Sequence, residues 1–214
     1  MIFVYAAGGA IAGALLYAAA VQCSDASLRG VFFPLWCACW AIMTAVFVPL
    51  LRVRFGGAVP FALALAALGA MEFHALTDFR AGYICDGAVI VSFLTGLVLR
   101  TIAGGFDGAF DALLGAAAGG LPVTAVIVLT RGAMGWGDAT MMTGLGAVLG
   151  WRMTLLTLYA GVVIGGACAL VLLLARRVKR RDALPLAPFL LAGLIWALFF
   201  GPSFAARLGL NVSL

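Results

Sequence analysis

Apolar residues fill this chain in long blocks, and the polar positions gather in short breaks between them. The blocks run roughly over Ile2–Val21, Val31–Leu51, Ala58–Leu76, Asp86–Leu99, Phe110–Leu129, Ala139–Gly150, Thr154–Ala175 and Leu186–Phe200. About 20 apolar residues in a helix cross the hydrocarbon of a bilayer. The pattern therefore predicts an all-α, polytopic membrane helix bundle of about eight transmembrane segments. It forms a single integral membrane domain over residues 1–214. The fourth and sixth blocks are short, and each begins just after an aspartate. A short helix that starts below the membrane surface is expected where a polar site is sunk into the bilayer. Met1 to Val21 has no basic stretch ahead of it and no clear cleavage site, so it reads as a first span rather than a removable signal.

Composition agrees with the pattern. The chain is 65% hydrophobic and 10% charged, against about 25% charged in an average soluble domain. The net charge of +5 comes largely from Arg176, Arg177, Lys179, Arg180 and Arg181. In a membrane protein such a cluster is a cytoplasmic anchor, not a nucleic-acid site. With that loop inside and the spans alternating, the inside holds Arg29, Arg80, Arg131 and the cluster; Arg52, Arg54, Arg100, Arg152 and Arg207 fall outside. Both termini then lie outside, and Asp78 and Asp138 share the cytoplasmic side. Glycine stripes at helical spacing, Gly8/Gly9/Gly13 and Gly161/Gly165/Gly166, predict close helix packing.

Cys23, Cys37, Cys39, Cys85 and Cys168 form no C-x-x-C pair, and His74 is the only histidine, so neither a structural metal site nor a cofactor is expected. That leaves the eight carboxylates. Asp25, Asp107 and Asp182 read as solvated loop residues. Asp111 suits the start of the fifth block, where a negative charge complements the helix amino terminus. Asp86 reads as an N-cap with a possible supporting role. Glu72 lies inside the third block, and His74 shares a helix face with Asp78 as a hydrogen-bonding partner.

Asp78 and Asp138 remain. An ionisable group in an apolar segment marks a functional site by default. Two carboxylates a few ångströms apart share one proton, and such a pair activates a water against a carbonyl and protonates the leaving amine. The plainer reading is that each caps the helix that follows it. There is no G-x-S-x-G elbow to offer a serine nucleophile.

Thr77-Asp78-Phe79-Arg80-Ala81-Gly82-Tyr83-Ile84-Cys85-Asp86 resembles the first aspartate motif of the type IV prepilin peptidases, membrane aspartyl proteases that include the preflagellin peptidases. Gly135-Trp136-Gly137-Asp138-Ala139-Thr140-Met141-Met142, with Gly144-Leu145-Gly146-Ala147 and Gly150-Trp151 behind it, resembles the second. The segment from Leu184 to Gly193 resembles the proline-containing stretch that opens the last span. The resemblance implies an endopeptidase that cuts the short basic leader from prepilins or pseudopilins at the cytoplasmic membrane face. Asp78 and Asp138 would be catalytic, Gly135 and Gly137 would shape the loop, and Asp86, Arg80 and Glu72 would be supporting residues. The implied partners are the substrate and the lipid bilayer, with no nucleic acid, in the bacterial inner membrane.

Three departures stand out. The zinc-binding insert that many bacterial members carry between their first two spans is replaced by the short loop Gln22–Gly30, which argues against methyl transfer. Thr140 stands where many members have Lys, a cation that Arg80 or Arg131 would have to replace. Cys85 stands where Pro is common. A catalytically inactive assembly relative, a proton-coupled transporter and a presenilin-type protease are the alternatives.

Overall fold

The computed structural model describes residues 2–23, 33–132, 134–177, 185–207, 209 and 214. They form six helices and no strand: α1 (Ile2–Cys23), α2 (Phe33–Arg54), α3 (Ala58–Ala81), α4 (Asp86–Leu129), α5 (Trp136–Leu174) and α6 (Ala187–Arg207). Four of these, α3 to α6, are long and apolar enough to cross a membrane. The expected loop Gln22–Gly30 lies largely outside the described residues, as do Lys179 to Asp182 and the side chains of Arg80, Cys37 and Cys39.

The blocks expected as the fourth and fifth segments lie within α4 and those expected as the sixth and seventh within α5, and each of these ranges holds two helices joined across a kink. The expected breaks are present as single residues. Gly105 (φ 58°, ψ −132°) interrupts α4, and Gly150 (φ 72°, ψ 166°) interrupts α5. A straight helix of 44 residues would be about 66 Å long, twice the hydrocarbon thickness. The chain instead folds back at both glycines. Arg100 forms an ion pair with Asp111, eleven residues away across Gly105, where a straight helix would hold them about 16 Å apart. Thr154 Oγ1 lies 3.5 Å from the Gly146 carbonyl across Gly150. Only glycine adopts these backbone angles without strain.

Glycine contacts fix how the halves pack. A Cβ on Gly144 would meet the Val89 carbonyl at 2.9 Å, and one on Gly96 the Ala147 carbonyl at 2.6 Å. Numbers rise together, so residues 86–104 run parallel to residues 136–149. A Cβ on Gly115 would meet Gly150 Cα at 2.7 Å, and one on Gly119 the Met142 carbonyl carbon at 2.8 Å; residues 106–129 therefore run antiparallel to the same stretch. A Cβ on Gly193 would meet the Thr157 carbonyl at 2.6 Å, and one on Gly161 would meet Leu190 Cα at 3.0 Å, so α6 runs antiparallel to residues 151–174. Of the two expected stripes, Gly9, Gly161 and Gly165 sit against neighbours, while Gly8 and Gly166 face open space.

The bundle is therefore small and close-packed inside and bulky outside. Leu63, Leu68, Met71, Met141, Met142, Leu145, Leu149, Leu190 and Leu194 are fully buried, whereas Ile90, Val91, Leu94, Val98 and Ile102 on α4 and Val162, Val163, Leu170, Val171 and Leu174 on α5 are exposed. An outward apolar surface of that kind suits lipid, where helices associate through close packing of small residues. Asp111 does more than complement a helix start. Arg100 is buried, donates from Nε to the Val148 carbonyl at 2.9 Å and pairs with Asp111, tying both reversals together.

Gly150→Ala is expected to destabilise the protein by about 1–3 kcal/mol, because it forces a side chain into a left-handed backbone and onto the Asp111 carboxylate and Arg100. Gly166→Ala, with nothing within 4 Å, is the control. Thermal unfolding in detergent checks this; equal unfolding temperatures for the two variants would refute the role given to Gly150.

Candidate active site

The parallel and antiparallel pairings put the end of α3 and the starts of α4, α5 and α6 at one end of the bundle. The third helix stops because Gly82 turns left-handed (φ 60°, ψ 31°), and its N–H donates to the Asp78 carbonyl at 2.8 Å. This closes the last turn in the usual glycine manner and leaves the Asp78 side chain near the helix end, half-buried. Asp78 does not cap α4, which follows it. Its Oδ2 accepts the Ala187 N–H at 3.0 Å, 109 residues away, and the Leu186 N–H also donates to it. Asp78 thus caps α6, in the proline-containing segment that the sequence singled out.

Asp138 sits in the first turn of α5, whose N-cap is Gly135 in extended conformation (φ −74°, ψ 143°). The Gly135 N–H donates back to the Asp138 carboxylate, one half of a capping box. Asp138 is therefore not the N-cap itself but bonds back to it from the first turn, with its carboxylate half-buried and within reach of the charge of Asp78. The structure brings the two aspartates to the same end of the bundle, near enough for the charge of Asp78 to act on Asp138. Gly137 is needed there for space: a Cβ would meet Ile84 Cβ and Cγ1 at 3.0 Å, and Ile84, buried in the short link after Gly82, is packed into the core. Ile84 and the two α6 amides are site residues that the sequence reading missed. The glycine pair hinted at a close neighbour but could not say which.

The other expected residues disperse. Asp86 is not an N-cap; Cys85 takes that position without a side-chain cap bond, and Asp86 follows in the first turn, exposed. Glu72 lies about 9 Å deeper along α3 than Asp78. It is buried and turned to α2, where its Oε2 accepts from Thr44 Oγ1 at 3.0 Å. It is not part of the aspartate pair. His74 is buried one turn below Asp78, but neither ring nitrogen has a hydrogen-bond partner among the described residues, so the expected hydrogen-bonding role is not seen. It stacks edge-on against Phe73 at 5.7 Å. Arg80 is in the last turn of α3. Thr140 is exposed, and its hydroxyl donates to the Gly137 carbonyl at 2.9 Å. Among the described residues no group of three His, Cys, Asp or Glu could hold a metal ion.

These features define a multi-pass helical membrane protein that gathers two helix-anchored aspartates at one end. The model of the type IV leader peptidase family matches residues 61–170, just over half of the chain and including both aspartates. The chain belongs to that family. It is 30% identical over 162 residues to the prepilin leader peptidase/N-methyltransferase of Bacillus subtilis, covering 76% of this chain and 65% of the relative. It is 33% identical over 158 residues to the protein of the same name in Burkholderia pseudomallei, covering 70% and 51%. With that of Pseudomonas putida it shares 28% over 163 residues, covering 73% and 56%. The chain thus spans between about half and two thirds of the length of these relatives. No solved structure matches it significantly.

Asp78→Ala removes the α6 cap and is expected to lower stability by about 1 kcal/mol, whereas Asp78→Asn keeps an acceptor oxygen for Ala187 and should unfold near the wild-type temperature. Thermal unfolding in detergent separates them. An Asp78→Ala variant as stable as wild type would mean that α6 is held without this cap.

Proposed function

We propose that the protein is an aspartic endopeptidase that removes the short basic leader from type IV prepilins or pseudopilins. The observation that carries this is the convergence of Asp78 and Asp138, from two motifs 60 residues apart, at one end of the bundle in a chain of this family. The relatives' names join leader peptidase and N-methyltransferase activities; the peptidase activity is the one proposed here.

The reaction follows from the pair. Two adjacent carboxylates share one proton. The ionised one takes a proton from a water as its oxygen attacks the scissile carbonyl carbon. The protonated one donates to the carbonyl oxygen, and the resulting tetrahedral intermediate collapses as the amine leaves with a proton from the pair. The α6 amides orient Asp78 and the Gly135 amide orients Asp138, so each carboxylate keeps an oxygen held in place while the other works. Thr140 supplies no charge; Arg131, in the turn ahead of the second motif, stands at the same end and is the cation nearest in sequence to take that role.

We further propose that each half of α4 and α5 crosses the bilayer, giving eight crossings with α1, α2, α3 and α6. The aspartate end then faces the cytoplasm of the bacterial inner membrane. Arg80, Arg131, Arg176 and Arg177 belong to that end and Arg52, Arg54, Arg100, Arg152 and Arg207 to the other, so an excess of cations on the aspartate side rests on the rest of the basic cluster, Lys179, Arg180 and Arg181, which follows Arg177 in the chain.

Purified protein in lipid, mixed with a prepilin-like peptide, should release the leader, and Asp78→Asn or Asp138→Asn should each cut the rate by at least about a thousandfold, the scale on which one essential acid or base contributes. Glu72→Gln, which faces α2, should stay within about tenfold of wild type. Cleavage that persists in both aspartate variants would sink the mechanism; proton flux without cleavage would favour a transporter. With a methyl donor added, no methylated product is expected, and its appearance would overturn the restriction to peptidase activity.

A further inference from the structure

Beside the aspartate pair a groove of about 400 Å³ opens between the second half of α4, the second half of α5 and the start of α6. Every residue that lines it is apolar. Two of them adjoin the groups that hold the pair. Leu186 lines the groove, and its N–H donates to Asp78. Met134 lines it too and precedes Gly135, whose N–H donates to Asp138. One end of the groove is therefore built by the segments that anchor both carboxylates. From there it follows α5 from Ala169 to Leu158, about 16 Å along the helix. Its mouth faces outward, since Val126 on one wall and Val162 on the other are exposed.

Gly165, Gly166 and Ala169 make the α5 wall shallow. A Cβ on Gly165 would meet Phe189 Cβ and Cγ at 3.2 Å, so Phe189 occupies the space that this glycine leaves. One on Gly166 would meet nothing within 4 Å, so this glycine keeps the groove open. In lipid, small residues of this kind let a neighbouring helix come close. A helix about 10 Å across and 16 Å long fills about 1,300 Å³. The groove therefore takes one face of a helix, with anchors at the i, i+3, i+4 and i+7 spacing, and leaves the opposite face in lipid. A chain lying here has no water to satisfy its backbone and must be helical. A charged residue against these walls would be unpaired, which is costly at this depth.

We propose that this groove seats the substrate itself, as an apolar helix that follows the scissile bond. The occupant rests on the peptidase activity proposed above, to which it adds a docking face and a direction. The basic leader does not suit apolar walls, so it stays on the water side of the aspartates. The residues after the cleaved bond run along the groove toward Leu158, and about eleven residues of helix span that distance. A lipid chain or a helix of a second copy would also fit the walls, but either would fill the groove at the segments that hold Asp78 and Asp138. The substrate is the one occupant whose chain has to leave from between the two aspartates.

The test uses the full chain in lipid and a prepilin-like peptide whose basic leader is followed by about 20 apolar residues. A photoreactive residue is placed in turn at each position of the first three turns after the scissile bond. Binding is read in the Asp138→Asn protein, without cleavage. Cross-links are expected at helical spacing, to α4 around Val126 and to α5 around Val162. Gly166→Phe fills the groove and should cut their yield at least tenfold. Val163→Phe, on the same helix but exposed outside the groove, should leave it unchanged. In the active protein, Gly166→Phe should raise KM and lower kcat/KM at least tenfold for this peptide, but not for one truncated just after the scissile bond. Cross-links to α1 or α2, or a yield that Gly166→Phe leaves unchanged, would overturn the proposal. So would cross-links at these walls between two copies of the chain with the substrate held elsewhere. Aspartate-dependent cleavage with cross-links elsewhere would sink the groove alone, whereas groove cross-links without any cleavage would sink the peptidase reading and keep the docking face.

Discussion

The closeness of backbone to backbone around the first half of α5 is the constraint on which the rest depends. In lipid there is no hydrophobic drive to bring one apolar helix against another, and association rests on packing. Gly96, Gly115, Gly119, Gly144 and Gly146 remove the side chains that would hold the helices apart, and each has a neighbouring backbone where its Cβ would be. Residues 136–149 are thereby clasped between the two halves of α4. Their first turn carries Asp138, so the position of that carboxylate follows from glycine packing many residues deeper.

Each carboxylate of the pair is then held by a helix start rather than by a side-chain partner. Asp138 is fixed by the amide of its own N-cap, and Asp78 by the amides that open α6, a helix from the far end of the sequence. The arrangement costs little side-chain machinery. It also means that α6 and the site are one unit: the segment that supplies the cap cannot move without moving Asp78.

Polar groups away from that end serve other purposes. Glu72 is satisfied in part by Thr44 and links α3 to α2. Arg100 and Asp111 tie the reversal in α4 to that in α5, because in an apolar surrounding a guanidinium needs a carboxylate and carbonyls close by. A buried charge thus fixes the geometry of the two glycine turns, and the turns in turn place helix starts around Arg100.

The membrane-bundle class was legible in the chain, because unbroken apolar blocks have few other uses and the physics of backbone satisfaction in lipid allows little but helices. The glycine-flanked Asp138, the first-motif Asp78 and their common end were legible too, from charge rarity, motif and the alternation of spans. That the breaks narrow to the single residues Gly105 and Gly150 was not, since a single left-handed glycine leaves no mark in hydropathy that differs from a loop. Nor could spacing along one helix show that Glu72 turns to α2, that Asp78 caps α6 and not α4, or that Arg100 is buried against Asp111. Those outcomes depend on which helices meet and in which direction, and that is decided by the fit of small residues across the whole bundle.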